Sequence, residues 1–337
     1  MGKTKIEWTD ATWNPVTGCT SVSPGCAHCY AKRLAKRLAG RCGYPESPNE
    51  FDVTLHLDKL NEPLRWKKPR QVFVCSMSDL FHEDVPDGFI AAVFEIMRKA
   101  TRHTFQVLTK RPERMKDFVD GYIYRRRVWR VGGRLSANVW LGVTAENQEQ
   151  ADRRIPILLQ IPATVRFVSV EPMLEEISLL KFPLGEHGFF NISSPTGWEF
   201  CECGQWGGSK GIYLNRCPYC GSMDKWKTIE RGIDWVICGG ESGKQARPMH
   251  PEWVRSVRDQ CVDAEVPFFF KQWGEWFPRS QWEGNPDLVL PDDRDVERGP
   301  HTFIFDDGEV MHYVGKKKAG RLLDSQEWNE FPEWTRG

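Results

Sequence analysis

The sequence predicts an α/β protein built as a partial or complete (β/α) barrel, and three observations support this. Short apolar runs alternate with stretches of helical spacing from residue 70 onward, which is the pattern of parallel sheets. Each apolar run ends in polar residues, as expected where strand ends form a site on one face of a barrel. A chain of 337 residues allows about two domains or one large barrel with insertions.

About seven βα units are expected, and the first strand lies near Trp13. The later strands are predicted at 72–75, 104–108, 139–143, 166–170, 235–238 and 267–270. The spacing of apolar residues predicts helices over 86–99, 151–159 and 251–262, and a further helix over 31–38 follows the first polar loop.

Two segments interrupt this rhythm. Residues 185–232 are rich in Gly, Ser and Trp and contain four cysteines, which indicates a subdomain inserted between barrel parts 1–184 and 233–275. Residues 276–337 are polar and rich in Trp, Asp and Pro, which indicates a C-terminal extension lying over the barrel.

Composition limits the class of protein. Equal numbers of basic and acidic residues, 46 each, exclude a globally basic nucleic-acid coat but permit local basic patches. No apolar run reaches the ~18–20 residues of a membrane span, and the first residues lack the apolar core of a signal peptide. We therefore expect a cytoplasmic protein with no membrane partner. In that compartment, 11 cysteines, seven of them in two local clusters, favour metal sites over disulfides.

Three cysteines, Cys19, Cys26 and Cys29, lie in a Gly/Ser/Pro loop immediately before a predicted helix. Thiolates select iron–sulfur clusters or zinc, and three ligands leave one iron of a [4Fe-4S] cluster open. The amino end of the following helix favours the negative charge of such a cluster. A structural zinc with His28 as its fourth ligand is the alternative.

The insertion contains two close cysteine pairs, each followed by glycine, at Cys201, Cys203, Cys217 and Cys220. Two such knuckles are typical of a zinc ribbon, in which four thiolates bind one tetrahedral Zn2+. A second iron–sulfur cluster and a pair of disulfides are the alternatives. Short knuckles with little apolar core favour zinc, because the metal must then hold the insertion folded.

The chain resembles the radical S-adenosylmethionine (SAM) enzymes, and more closely the phage- and prophage-associated three-cysteine-motif family. The resembling segments are 7–15, 18–31, 170–173, 239–243 and 315–328. The first cysteine gap, six residues, is longer than is usual in that superfamily, and His28 takes the usual aromatic position. The resemblance implies a barrel of the radical SAM type whose open iron binds S-adenosylmethionine. An external electron donor of the flavodoxin or ferredoxin type then supports cleavage to a 5′-deoxyadenosyl radical.

The resemblance also assigns residues at the strand ends to the cofactor. The amino group of S-adenosylmethionine is expected near Ser76, Ser78 and Asp79, and its ribose near Thr144, Glu146 and Asn147. Ordinary capping of strand ends and turns is the alternative for both sets.

Later strand ends are expected to face the substrate. So many ionisable groups on one rim are costly unless they are paired or used. The residues concerned are Glu171, Glu241, Ser242, Lys271 and Gln272. We expect Glu241 and Lys271 to be catalytic, together with Cys75, because some relatives use a cysteine to donate a hydrogen atom to a product radical. Cys238 could do the same, and a buried apolar role is the alternative for both cysteines.

A local basic patch points to nucleic acid. In this patch arginines alternate with aromatic residues, and such a pattern can bind phosphates and stack on bases. Its residues are Tyr122, Tyr124, Arg125, Arg126, Arg127, Trp129, Arg130 and Arg134. A solvated helix face is the alternative. A second, weaker basic stretch spans 315–321.

The function expected from this resemblance is a radical SAM enzyme that rearranges the side chain of a hypermodified pyrimidine (thymidine) in phage DNA. The reason is that the resembling family occurs in phages, some of which carry hypermodified thymidines. The gene would then belong to a phage or prophage, and the enzyme would work in the bacterial host cell. The alternatives are a radical repair lyase for damaged pyrimidines and a non-catalytic zinc-dependent nucleic-acid-binding protein.

Overall fold

The computed structural model describes residues 4–128, 135–185, 198–201, 206–207, 226–229, 232–284 and 302–333. In chain order the strands are β1 (Ala11–Trp13), β2 (Val16–Thr17), β3 (Thr54–Leu55), β4 (Gln71–Val74), β5 (Thr104–Thr109), β6 (Val139–Thr144), β7 (Arg166–Val170), β8 (Trp198–Cys201), β9 (Trp206–Gly207), β10 (Trp226–Ile229), β11 (Trp235–Gly239), β12 (Phe268–Gln272), β13 (Trp276–Pro278), β14 (Thr302–Ile304) and β15 (Val310–Tyr313). The α-helices are α1 (Tyr30–Leu38), α2 (Asp87–Lys99), α3 (Pro112–Val128), α4 (Gln148–Leu159), α5 (Pro251–Asp263) and α6 (Lys316–Ala319).

Seven of these strands form one parallel sheet, whose order β1–β4–β5–β6–β7–β11–β12 follows the chain. The sheet is curled into a half-barrel, which confirms the predicted α/β class and the partial form of the barrel. Because every pairing is parallel, the carboxyl ends of all seven strands meet at one rim.

Aromatic side chains centred on Trp235 fill the inner face of the half-barrel. The ring of Trp235 is fully buried and lies 5.2–6.3 Å from the rings of Trp8, Trp140, Phe167, Phe269 and Phe331. These side chains come mostly from the first residues of each strand, so they occupy the amino-terminal half of the barrel. The carboxyl ends are left for polar groups.

The other face of the sheet packs against helices in a single larger core. On β11, for example, Val236 and Cys238 join this outer core, whereas Trp235 and Ile237 belong to the inner cluster. This division follows from the alternation of side chains along a strand. Among the described helices, none is long and apolar enough to cross a membrane.

The C-terminal segment covers the β12 edge of the sheet. Phe270 N–H donates to the Trp328 carbonyl at 3.0 Å, and Glu330 N–H donates to the Phe268 carbonyl at 3.2 Å. The indole N–H of Trp235 donates to the Glu330 carbonyl at 2.9 Å. Unpaired sheet edges tend to recruit other chains, so this pairing protects the half-barrel that would otherwise end at β12. A small antiparallel sheet of order β13–β15–β14 precedes the segment.

The described part of the insertion is a three-stranded antiparallel sheet of order β10–β8–β9. Cys201 is the last residue of β8 and is aligned with Trp226 of β10. Cys203, Cys217 and Cys220 lie outside the described residues, so the zinc ribbon stays a prediction.

Gly142, in the middle of the half-barrel, provides a stability test. It is aligned with Phe167 on the neighbouring strand, and an added Cβ would lie 2.6 Å from the Phe167 ring. The ring is held by the inner aromatic cluster, so we expect Gly142→Ala to lower the free energy of unfolding by about 1–3 kcal/mol. Denaturant unfolding at neutral pH measures this change.

Gly88 is the matched control, because an added Cβ at this exposed position of α2 meets nothing within 4 Å. Gly88→Ala should be neutral or stabilise by up to about 1 kcal/mol. Equal effects of the two substitutions would contradict the packing assigned to Phe167.

Candidate functional site

The loop that carries the three cysteines starts at the rim of the half-barrel, between β2 and α1. Gly18 begins it with a φ of +83°, and an added Cβ would lie 2.1 Å from the Asp52 carbonyl oxygen. Only glycine is compatible with both conditions. Gly18 N–H donates to the Met77 carbonyl at 3.0 Å, and the Ser78 hydroxyl donates to the Gly18 carbonyl at 2.5 Å. The loop is therefore attached to the residues that follow β4.

Asp79 fixes the same end of the loop through an arginine. Its Oδ1 accepts from the Thr109 hydroxyl at 2.7 Å, and its Oδ2 accepts from Arg111 Nη1 at 3.3 Å. Arg111 also donates to Thr20 Oγ1 at 2.8 Å and to Cys19 Sγ at 3.5 Å. A guanidinium charge thus lies directly against the first thiol.

Glu146, just after β6, holds the middle of the loop. Its Oε1 accepts from the Gly25 N–H at 3.2 Å, and its Oε2 accepts from Arg154 Nη1 of α4 at 2.8 Å. Both members of this ion pair are buried. A Cβ added at Gly25 would lie 3.0 Å from the carboxyl carbon of Glu146. Because glycine lacks this atom, the loop backbone can approach the Glu146 carboxylate closely.

Glu241, after β11, holds the third part of the loop. His28 Nδ1 lies 3.0 Å from Glu241 Oε2, and Arg247 forms a two-pronged ion pair with the same carboxylate at 2.7 and 2.9 Å. Arg247 also donates to the Pro24 carbonyl at 3.1 Å. Although burial opposes it, hydrogen bonds from Arg247 and His28 lower the pKa of Glu241 below its usual value.

The loop and the strand ends enclose a cavity of about 390 Å³, a size typical of small-molecule sites. Its apolar wall includes Trp8, Tyr30, Phe73 and Leu108. The predicted site residues that line the cavity are Cys19, Cys26, Cys29, Cys75, Ser76, Ser78, Asp79, Thr144, Glu171, Glu241, Ser242, Lys271 and Gln272. The structure therefore brings most of the predicted site together on one cavity.

Glu171 and Lys271 form an ion pair on the cavity wall, with Lys271 Nζ 3.0 Å from Glu171 Oε1. Both side chains keep some exposure, 13% for Glu171 and 19% for Lys271. The Ser169 hydroxyl donates to the other oxygen of Glu171 at 3.3 Å. This pair presents a positive and a negative group side by side to whatever occupies the cavity.

The thiols of the loop differ in their electrostatic environment. Burial, with a contribution from Asp79, raises the pKa of Cys19 to about 11 in spite of Arg111. Burial also acts to raise the pKa of Cys26, but the charge of Lys110 and nearby hydrogen bonds leave it below its usual value. Among the residues that the structure describes, no three His, Cys, Asp or Glu side chains are placed to hold one metal ion.

Residues 3–332 match the family described as "Protein of unknown function (DUF5131)". The chain belongs to this family. No curated protein and no solved structure matches the sequence.

Three of the predicted groups do not face the cavity of this DUF5131 protein. Asn147 caps α4, where its side chain accepts from the Gln150 N–H at 3.0 Å. Glu146 is buried behind the cysteine loop. Cys238 lies in the outer core, with its Sγ 3.7 Å from the sulfur of Met173, whereas Cys75 lines the cavity with a φ of +58°.

The predicted arginine patch is partly neutralised within the protein. Arg126 Nη1 lies 2.6 Å from Glu95 Oε1, and its guanidinium lies over the Tyr122 ring. Arg125 is exposed. The side chain of Arg127 and the residues Trp129, Arg130 and Arg134 lie outside the described part of the chain.

Sequence reasoning missed the arginines that neutralise the rim carboxylates. Arg111 lies two residues after β5, in the same row of polar strand ends as the predicted residues, so its position was a usable signal. Arg154 lies on α4 and Arg247 in a loop after β11, and nothing in their sequence neighbourhood marks them.

Glu146→Gln tests the buried ion pair. The variant leaves Arg154 buried without a counter-charge, so at neutral pH we expect a loss of about 3–5 kcal/mol in the free energy of unfolding. Burial acts to raise the pKa of Glu146, but Arg154 and Lys110 outweigh it and leave the pKa below 4.5. A carboxyl group with a lowered pKa stabilises the fold at pH values above its pKa in the unfolded state. This stabilisation is lost as the pH falls through its pKa in the folded state.

The difference between wild type and Glu146→Gln should therefore be largest at pH 7 and should shrink below about pH 4.5 in urea unfolding curves. Glu149→Gln, an exposed change on α4, the helix that carries Arg154, should cost no more than about 0.5 kcal/mol at either pH. A difference that does not depend on pH would show that Glu146 acts through packing alone.

Proposed function

We propose that this DUF5131 protein is a radical SAM enzyme whose [4Fe-4S] cluster is held by Cys19, Cys26 and Cys29. The observation that carries the proposal is that all three cysteines line one cavity at the carboxyl ends of a parallel half-barrel. A bound cluster would supply one electron for the reductive cleavage of S-adenosylmethionine to a 5′-deoxyadenosyl radical that removes a hydrogen atom from the substrate.

The donor set, three thiols in one loop, suits a [4Fe-4S] cluster with one open iron. A [4Fe-4S] cluster binds each cysteine through a different iron, so its thiolates need not touch. Arg111 next to Cys19 and Lys110 near Cys26 provide positive charge for an anionic cluster. Helix α1 starts right after Cys29 and has no side-chain cap, so its amino end adds to this charge.

The rim carboxylates then act mainly as positioning residues. Asp79 and Glu146 use both of their oxygens on protein donors, so they hold the loop rather than the cofactor. Ser76, Thr144 and the Tyr30 ring line the cavity and are the groups we expect against S-adenosylmethionine. The paired Glu171 and Lys271 are left for polar groups of the substrate.

The substrate that we propose is a modified pyrimidine in DNA, as the resemblance to phage enzymes implies. A pyrimidine repair lyase is the second candidate, and Cys75 favours it. This cysteine lines the cavity, and burial raises the pKa of its thiol well above the usual value. The S–H group therefore stays intact and can give a hydrogen atom to a carbon-centred product radical.

The cluster is tested by single substitutions of the three cysteines. Anaerobically reconstituted wild type should hold about four iron atoms per chain in this loop and form 5′-deoxyadenosine with a chemical reductant. Cys19→Ala, Cys26→Ala and Cys29→Ala should each lose the iron and the product while staying folded, with the melting curve of the unreconstituted wild type. Cys42→Ala, an exposed cysteine that does not line the cavity, is the control and should retain both. Unchanged iron in any of the three variants would remove that cysteine from the cluster.

For the insertion we propose one structural zinc bound by its four cysteines. Cys201 is the last residue of β8, which pairs antiparallel with β9, and this position supports a knuckle there. Elemental analysis should find about one zinc per chain, and Cys217→Ser or Cys220→Ser should lose it while the iron content stays the same. Four additional iron atoms in place of zinc would favour an auxiliary cluster.

A further inference from the structure

Helix α1 exposes a group of positive charges that the proposed cofactor chemistry does not use. Lys32, Lys36 and Arg37 are exposed on the helix, and Arg41 is exposed in the turn that follows. Helix α1 contains no acidic residue, and none of these four side chains has an ion-pair partner within the described ranges of the chain. Like charges this close repel one another, so the surface favours an anionic partner.

This surface is continuous with the rim of the cavity. Arg33 of α1 donates to the carbonyl of Ser242, a cavity-lining residue, at 2.8 Å. The next residue, Gly243, donates its N–H to Glu275 Oε1 at 2.7 Å. The other oxygen of Glu275 accepts the N–H of Lys316, the first residue of α6, at 3.0 Å. Helices α1 and α6 therefore flank one stretch of the rim.

Helix α6 brings further lysines to that stretch. Lys316 lines the cavity and forms an ion pair with Glu7 at 3.5 Å. Lys317 and Lys318 are exposed and have no ion-pair partner in the part of the chain that the structure describes. We call the exposed basic residues of this surface, 32–41 and 316–318, the basic rim.

We propose that the basic rim binds the phosphates of a nucleic-acid strand, which then presents one nucleotide to the cavity. The inference rests on the proposed function and names the surface that binds the DNA strand outside the cavity. A cavity of about 390 Å³ holds a small molecule but not a polymer, so the rest of the strand must lie outside it. On α1 the pair Lys32 and Arg33 is followed about 6 Å further along the helix by the pair Lys36 and Arg37, so both pairs can contact one strand.

Two comparisons favour this assignment. The arginines of α3 are the rival surface, but Arg126 is already neutralised by Glu95. An acidic protein would also be attracted by the basic rim. However, Trp8 and Phe73 on the cavity wall suit a ligand that carries a flat ring, as every nucleobase does.

The experiment measures binding of the purified full-length chain to a fluorescein-labelled single-stranded oligonucleotide by anisotropy, between about 50 and 200 mM salt. The test variant is the double charge reversal Lys36→Glu and Arg37→Glu. Loss of two phosphate contacts to a single strand should reduce the slope of log K against log salt by about 1.4. At about 0.1 M salt the same loss weakens binding roughly 25-fold.

Lys67→Glu with Lys68→Glu is the matched control. Both lysines are exposed and precede β4, at the amino end of the sheet and away from the cavity, and the change in net charge is the same. This variant should keep the wild-type slope. Arg125→Glu tests the surface on α3 and should keep the wild-type slope. If the α1 charge reversal does not fold, by circular dichroism and melting, Lys36→Gln with Arg37→Gln replaces it.

Several outcomes would overturn the inference. One is a wild type that does not bind the oligonucleotide at low salt, and another is an equal effect of the α1 variant and its control. A third is an α1 variant that binds the oligonucleotide normally but is reduced more slowly by an acidic flavodoxin-type donor. That result would show that the basic rim binds a protein and not a nucleic acid. Binding is measured without S-adenosylmethionine, so its failure is distinct from a failure of the proposed function, which loss of iron or of 5′-deoxyadenosine formation would show.

Discussion

The candidate site depends on three carboxylates that hold the cysteine loop, each at the carboxyl end of a different strand and each paired with an arginine. Asp79 with Arg111, Glu146 with Arg154 and Glu241 with Arg247 contact the beginning, middle and end of the loop. Burying a carboxylate is costly unless its charge and its lone pairs are satisfied, and the planar guanidinium satisfies both. A loop of Gly, Ser and Pro has little apolar surface of its own, so these contacts replace a core in fixing its shape.

The sequence predicted the fold largely because apolar runs record where strands are buried. It did not decide between a half and a complete barrel, since that depends on what covers the edge of β12. The chain covers it with residues 328–330, and no pattern in the polar, Trp-rich tail shows that these residues pair with a strand some sixty positions earlier. Side-chain alternation explains why Cys238 is in the outer core. Cys75, which follows the end of β4 with a φ of +58°, packs against the same core and also lines the cavity.

For the site, polar strand ends were a good guide to location and a weaker guide to role. Ser78, Asp79 and Glu241 line the cavity where a ligand was expected, and Glu146, expected at a ribose, does not, yet all four bond to protein groups. The reason is that the sequence shows where a carboxylate lies but not whether it will contact a ligand or an arginine from another element. Pairs such as Glu146 with Arg154 form only when α4 packs back on β6, which is a property of the tertiary structure.

The same pairing explains how a chain of zero net charge can carry a strongly basic rim. The arginines nearest the cavity are used internally, against carboxylates that would otherwise repel an anion at the mouth. The lysines and arginines on the exposed face of α1 have no such partners in the described structure, and they stay in solvent, where flexible cations retain their hydration. Composition counts both groups equally and so excludes only a globally basic surface. The local field depends on which charges are paired, and near the cavity the internal pairs remove negative charge while the surface of α1 keeps its positive charge.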